Sequence, residues 1–449
     1  MRREIFLEAT TVGVFGLGET GLAIAGFLQE KNFTTILFDD DPSDRAKRFA
    51  ESLRLKIHLT NSEPEMSQLI ETLDVFMPTP GLPDNHWIYE HVNQLGIPIH
   101  SEFDLAAQFD DRPLIAITGT NGKTTVTMMV KEMLLSSGIK VEAVGNTDIP
   151  LIMAIEDSSI EKFVVEASSF RLGHSSCFSP EVSAWLNFSP DHLDVHENLK
   201  RYENAKASIW RNHSSRNIAI GNTEDEVVMN HLPKHGNVKT FGTDSGDSKV
   251  TDGYLIVNNE KLIKVTELQR SSPHDILNAL AAATIAMDSG ADISAIKKIL
   301  SEFKGLPHRI ALVGEREGVR WYNDSKSTTP HSVLAAVSGF ENVILLLGGR
   351  NKGLDLSVLT SIQEHVKHLV AIGEAMDEIV EVFEEIVPIS KANSMNEAVE
   401  IALNISERGD VVLLSPGCTS FDWYDSYVDR GKDFEKIVQA LMGVEIGNN

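Results

Sequence analysis

The residues best suited to chemistry sit in two glycine-rich loops and in several short polar runs. The run Ile117-Thr118-Gly119-Thr120-Asn121-Gly122-Lys123-Thr124-Thr125 follows an apolar stretch and leads into a helix-like one. Backbone N–H groups of such a loop wrap phosphates, its lysine reaches the β and γ oxygens, and the Thr124 hydroxyl can meet Mg²⁺. The spacing is not a strict GxxxxGK[ST], because the first glycine would fall at Ile117. Gly16-Leu17-Gly18-Glu19-Thr20-Gly21 matches GxGxxG after another apolar run, with Asp39 at the end of the next. Glycines there permit a tight turn and close backbone approach to a phosphate at a helix N-terminus. Taken alone, this motif reads as that of a dinucleotide-binding oxidoreductase, with a purely structural strand-to-helix turn as the lesser alternative. His192 and His196 have the i, i+4 spacing of zinc sites. Leu-Asp-Val lies between them and no glutamate follows the first histidine, so the HExxH protease pattern is absent.

Such loops need a scaffold that presents them at strand ends. Apolar runs at residues 11–15, 35–38, 114–118, 163–166, 343–347 and 411–414 predict strands, and residues 126–136, 276–287 and 396–405 predict helices. The alternation indicates an α/β fold. Each strand run ends in Gly, Ser, Asp or Thr, residue types suited to binding loops at strand C-termini. A polar turn at 109–113 and the Gly305-Leu306-Pro307-His308-Arg309 stretch mark boundaries, giving three domains: 1–109, 110–306 and 307–449. The polar, glycine-rich segment 241–253 reads as a surface loop or hairpin.

The 449 residues are 42% hydrophobic and 23% charged, enough for several cores. Forty basic against 65 acidic residues leave a formal charge of −25. No global field attracts nucleic acid or an anionic membrane, so an anionic ligand needs local cations and backbone N–H groups. Cys177 and Cys418 are far apart and form no CxxC, which argues against a disulfide framework or structural zinc and fits a reducing, cytoplasmic setting. The start of the chain runs into the first glycine motif and does not read as a signal peptide, and no apolar run has membrane-spanning length.

Further blocks follow the second loop in order: Glu166-Ala167-Ser168-Ser169-Phe170, then Asn187 to His196 with Asp191-His192-Leu193-Asp194, then Tyr202-Glu203-Asn204-Ala205-Lys206. His274-Asp275-Ile276-Leu277-Asn278-Ala279, Pro307-His308-Arg309, Asn323 to Thr328, Gly348 to Gly353, and Leu414 to Asp422 with Tyr427, Arg430 and Gly431 complete the series. Together they resemble the Mur ligase family over essentially the whole chain, and the last block resembles its D-glutamate-adding branch.

The resemblance implies an ATP-dependent acid–amino-acid ligase, working through an acyl phosphate in peptidoglycan precursor synthesis. Its fold would be a Rossmann-like N-terminal domain, a central P-loop-type ATPase domain with a parallel sheet, and a Rossmann-like C-terminal domain. The substrates implied are UDP-N-acetylmuramoyl-L-alanine and D-glutamate, with ATP and two Mg²⁺ sites, in a cytoplasmic monomer that binds neither nucleic acid nor membrane. By the same resemblance Gly119, Thr120, Asn121, Gly122, Lys123, Thr124, Thr125, Asn278, Arg309 and Asp324 contact ATP. Gly18, Glu19, Thr20, Asp39, Thr79, Gly81, Asn146 and His192 contact the UDP substrate. Thr328, Lys352, Ser420 and Phe421 bind the amino acid, and Lys326 faces the activated carboxylate. Thr124, Glu166, His192 and a carbamylated Lys206 hold metal, the carbamate being in effect a carboxylate. Lys123, His192, Lys206 and Lys326 form the catalytic set. Two residues depart from the pattern: Asp275 stands where the family has asparagine, and Arg171 where the branch has glutamine.

Overall fold

Short strands buried on both faces alternate with helices, as parallel sheets require. The computed structural model describes Phe6 and residues 10–60, 63–147, 149–192, 195–351 and 353–442. The chain divides into two compact units, one up to Phe303 and the other from Lys304 onward.

The first unit holds two sheets. Strands β1 (Thr11–Phe15), β2 (Thr34–Asp39), β3 (Ile57–Leu59) and β4 (Val75–Pro78) form a parallel sheet in the order β3-β2-β1-β4. The second sheet contains β5 (Leu114–Thr118), β6 (Val141–Gly145), β7 (Lys162–Glu166), β8 (Val182–Trp185), β9 (Ile218–Asn222), β10 (Asn237–Phe241), β11 (Ser248–Thr251), β12 (Tyr254–Val257) and β13 (Glu260–Lys264). Its order is β13-β12-β11-β10-β9-β8-β5-β7-β6, parallel from β6 to β11 and antiparallel through the last two strands. The segment expected as a loop or hairpin is the turn after β10 followed by the β11–β12 hairpin.

The second unit is one six-stranded sheet: β14 (Ala311–Arg316), β15 (Val319–Asn323), β16 (Val343–Gly348), β17 (Val366–Ile372), β18 (Ile389–Ala392) and β19 (Val411–Gly417). Its order is β14-β15-β19-β16-β17-β18, and only the β14–β15 pair is antiparallel. All six residues of β16 are buried, which explains why its sequence is a continuous apolar run without alternation.

Topology selects the loops that can bind. β1 lies between β2 and β4, β5 between β7 and β8, and β19 between β15 and β16. The chain reverses its direction of winding at β1 and β5, and crevices open at the strand C-termini of such switch points. Both glycine loops leave from those two strands.

Packing then closes the ATP-type loop. The helix Pro273–Asp288 buries Ala279, Ala281, Ala282, Ala283 and Ala286 in the same core as Val126, Met129, Val130 and Met133 of the helix Lys123–Ser136. Small side chains let the two helices approach closely and set Asn278 against Gly122. No helix among the described residues is long and apolar enough to cross a membrane.

Gly21 sits in the first turn of the helix Glu19–Glu30, where an added methyl would overlap the Gly16 carbonyl oxygen. The overlap is with backbone and cannot be relieved by a rotamer change. Gly21→Ala is expected to lower stability by about 2 kcal/mol or more, read as a lower denaturant midpoint.

Candidate functional site

The loop after β5 is built around Gly122. It caps the helix Lys123–Ser136 with φ +80, a left-handed conformation that suits glycine, and a side chain there would stand 2.5 Å from Asn278 Oδ1. This left-handed cap starts the helix at Lys123, three residues before the apolar periodicity begins. Neighbouring segments fix the rest of the loop. The Asn121 N–H donates to Asn187 Oδ1 at 2.8 Å, and Asn187 Nδ2 returns a bond to the Asn121 carbonyl. The Thr120 N–H donates to the Asn187 carbonyl, and Thr120 Oγ1 lies 3.1 Å from the Tyr202 hydroxyl.

Two lysines converge on this loop. Lys123 Nζ donates to the carbonyls of Gly119 at 2.9 Å and Thr120 at 2.8 Å. Lys206 Nζ donates to the same Gly119 carbonyl at 2.7 Å and lies over the Tyr202 ring. Lys206 is only 1% exposed. Burial, and then the nearby Lys123 charge, hold its ammonium well below the usual lysine range, while Asp191 and Glu166 oppose that shift.

Glu166 ends β7 at 2% exposure. Its Oε1 accepts from Asn146 Nδ2 at 3.2 Å, and Oε2 is buried without a hydrogen-bond partner among the described residues. A carboxylate oxygen so placed suits a cation. Among the described residues no three His, Cys, Asp or Glu side chains gather as a metal site. Mg²⁺ is in general held by one or two carboxylates, with the remainder of its shell from phosphate and water. Lys206 as an ammonium cannot ligate a metal, whereas its carbamate can.

His192 has φ +54, lies 3.5 Å from Asp191 through Nε2, and faces the rings of Phe170 and Tyr202. His196 is a structural residue: Nδ1 pairs with Asp84 at 3.2 Å and Nε2 with Ser169 Oγ at 2.9 Å. Leu193 and Asp194 of this block lie outside the described residues.

The other expected contact residues of the first unit stand at or just after the C-terminal ends of β1, β2 and β4 in one sheet and of β6 in the other. Asp39 Oδ2 accepts the Leu17 N–H, and Glu19 pairs with Arg45. Thr79 lies beside Gly16 and Gly21, with Gly81 two residues on, and the Asn146 N–H donates to the Glu166 carbonyl. Thr20 accepts from Arg171 Nη2 at 2.7 Å. Arg171 therefore turns toward the first glycine loop, not toward the phosphate loop, a pairing that nothing in the sequence pattern signalled. Asp275 pairs with Arg270 and accepts from Ser272 Oγ in the first helical turn, leaving Asn278 as the residue of that block at the loop.

In the second unit, the segment after β15 is held from within. Asp324 accepts from the Ile310 N–H, Ser327 Oγ and Ser415 Oγ. Both of its oxygens are engaged. Arg430, 2% exposed, donates Nε to Ser325 Oγ, Nη2 to the Ser325 carbonyl and Nη1 to the Cys418 carbonyl, so it fastens the loops after β15 and β19 together. Lys326 Nζ lies 5.4 Å from the Tyr427 ring centroid, Ser420 is buried, and Phe421 is exposed. Thr328 is half-buried and Arg309 is in the turn before β14. Lys352 lies outside the described residues. The clamp by Arg430 was visible in sequence only as part of the last motif.

Comparisons with known proteins place the chain in a family. A family model of the Mur ligase middle domain matches residues 117–286, and one of the Mur ligase glutamate ligase domain matches residues 308–418. A UDP-N-acetylmuramoylalanine--D-glutamate ligase of Caldanaerobacter subterraneus is 33% identical over 97% of this chain and 99% of its own. One of Legionella pneumophila is 34% identical over 95% and 98%. Among solved structures, MurF ligase of Thermotoga maritima in complex with ADP covers 98% of each chain with TM-score 0.57 at 18% identity, a likeness of fold.

Burial raises the Asp324 carboxyl from 3.8 to about 6. The folded chain thus takes up this proton at a higher pH than the unfolded chain, and this group adds stability as pH falls from about 6 toward 3.8. Between about pH 7 and about pH 4.5, the denaturation free energy of the wild type should rise relative to Asp324→Asn by on the order of 2 kcal/mol.

Proposed function

The chain belongs to the Mur ligase family, and from that premise we propose that it joins D-glutamate to UDP-N-acetylmuramoyl-L-alanine at the expense of ATP, as a cytoplasmic monomer in peptidoglycan precursor synthesis. The observation that carries this reading is the convergence at the glycine loop after β5 of Lys123, Lys206 and a Glu166 oxygen that has no hydrogen-bond partner among the described residues. The domain limits proposed are 1–109 for the UDP substrate, 110–306 for ATP and 307–449 for the amino acid.

The first step is attack of the alanyl carboxylate on the γ-phosphorus of ATP, with cleavage of the bond to the β-phosphate and departure of ADP. Backbone N–H groups of residues 119–125 hold the phosphates, and Lys123 moves from the Gly119 and Thr120 carbonyls to the transferring group. Asn278 flanks the adenine side of the loop. Bound Mg²⁺ would neutralise charge on the phosphates, with Glu166, Thr124, His192 and carbamylated Lys206 as the residues to hold it. In the second step the glutamate amine attacks the acyl carbon, the C–O bond to phosphate breaks, and the amine loses a proton. Lys326 balances the activated carboxylate, while Thr328, Lys352, Ser420 and Phe421 position the amino acid, and Arg309 and Asp324 serve the nucleotide. Gly18, Glu19, Thr20, Asp39, Thr79, Gly81 and Asn146 hold the UDP part.

Phosphate release with ATP, Mg²⁺ and UDP-N-acetylmuramoyl-L-alanine should depend on D-glutamate and give a product heavier by one glutamyl residue. Release with L-glutamate or a diaminoacid in its place would overturn the substrate assignment, and no release with any amino acid would overturn the activity. Lys123→Ala should lower kcat by about 10²–10³, the loss expected for a preorganised donor to the transferring phosphoryl group.

A further inference from the structure

We propose that Arg171 is a positioning residue for the diphosphate of a nucleoside diphosphate substrate, oriented by Glu102 so that Thr20 offers its hydroxyl proton to that anion. The inference rests on the assignment of the loop after β1 to the nucleotide substrate.

Arg171 is 5% exposed and its partner Glu102 is 2% exposed. Nε donates to Glu102 Oε2 at 2.9 Å, and Glu102 Oε1 is occupied by the Ile152 N–H. Glu102 is therefore fully committed and fixes the guanidinium plane. Nη2 donates to Thr20 Oγ1 at 2.7 Å. A threonine oxygen that receives an N–H bond keeps its own O–H free to donate, so the guanidinium decides that Thr20 acts as a donor. Thr20 stands in the first turn of the 12-residue helix Glu19–Glu30, whose N-cap Gly18 contributes no side-chain cap. The first N–H groups of a helix lack intrahelical acceptors and attract anions.

A second observation points the same way. Arg171 Nη1 is buried and has no hydrogen-bond partner among the described residues. An N–H donor left without an acceptor at this depth is costly, and an oxygen of a nearby phosphate would satisfy it. The acids near the loop do not compete. Glu19 is paired with Arg45, and Asp39 Oδ2 accepts the Leu17 N–H. The D-glutamate-adding branch, by the resemblance described above, has a neutral glutamine here, so the formal charge distinguishes this chain.

The test is titration of the full chain with UDP and with uridine, read by calorimetry. Variants are Thr20→Val and the double Arg171→Gln, Glu102→Gln, which removes the charge without stranding a buried carboxylate. The double variant should weaken UDP about tenfold and leave uridine unchanged. Thr20→Val should weaken UDP comparably, and adding it to the double variant should cost little more, because the two act through one bond. A double variant with wild-type discrimination between UDP and uridine, or a Thr20→Val variant with wild-type UDP affinity, would overturn the proposal. Ligase activity of the wild type, measured alongside, separates the two ideas. Arg171-dependent discrimination in a chain without ligase activity upholds the inference and sinks the functional reading. An active ligase with Arg171-independent UDP binding sinks the inference alone.

Discussion

Two lysine ammonium groups donate to one carbonyl oxygen, that of Gly119, and much of the site follows from that crowding. Like charges so close in a buried place disfavour one another. The tension is relieved when Lys206 loses its charge or when an anion arrives. Both outcomes would suit the proposed phosphoryl transfer. A carbamate on Lys206 would turn a repulsive cation into a metal ligand, and nucleotide phosphates would draw Lys123 away from the loop carbonyls. The buried Glu166 Oε2 nearby has no hydrogen-bond partner among the described residues, and under the proposed function a bound cation would satisfy it.

The same economy of buried charge recurs in both units. Arg171 with Glu102 anchors the first glycine loop, and Arg430 ties the loops after β15 and β19 through carbonyl and hydroxyl acceptors. Asp324 gathers an N–H and two hydroxyls around the same segment. Such groups are costly to bury and strongly destabilising to leave unpaired, so they hold their loops in one geometry. Binding loops at strand ends are otherwise the mobile part of an α/β fold.

Sequence periodicity located the strands well, because buried parallel strands are short apolar runs, and the runs at residues 114–118 and 343–347 lie within β5 and β16. Helix starts were less legible. The helix at Lys123 begins three residues before the apolar pattern because the left-handed Gly122, not hydrophobicity, sets its cap. The phosphate loop, Glu166 and Lys206 were legible as residue types in order. Long-range pairings were not: Asp84 with His196 and Thr20 with Arg171 join segments 112 and 151 residues apart, and no local pattern encodes them. Arg171 was readable as a departure but its direction was not, since a charged residue in a short helix carries no signal of which loop it faces.

Under the proposed function the glycine loop after β5 delivers a phosphoryl group to a carboxylate. The most direct measurement uses UDP-N-acetylmuramoyl-L-alanine labelled with ¹⁸O in the alanyl carboxylate and follows the label after turnover with ATP and D-glutamate. Attack by that carboxylate on the γ-phosphorus, then cleavage of the acyl C–O bond, puts one ¹⁸O into each inorganic phosphate released. Phosphate free of label, with amide still formed, would mean that the carboxylate is not activated by phosphorylation and would contradict the account.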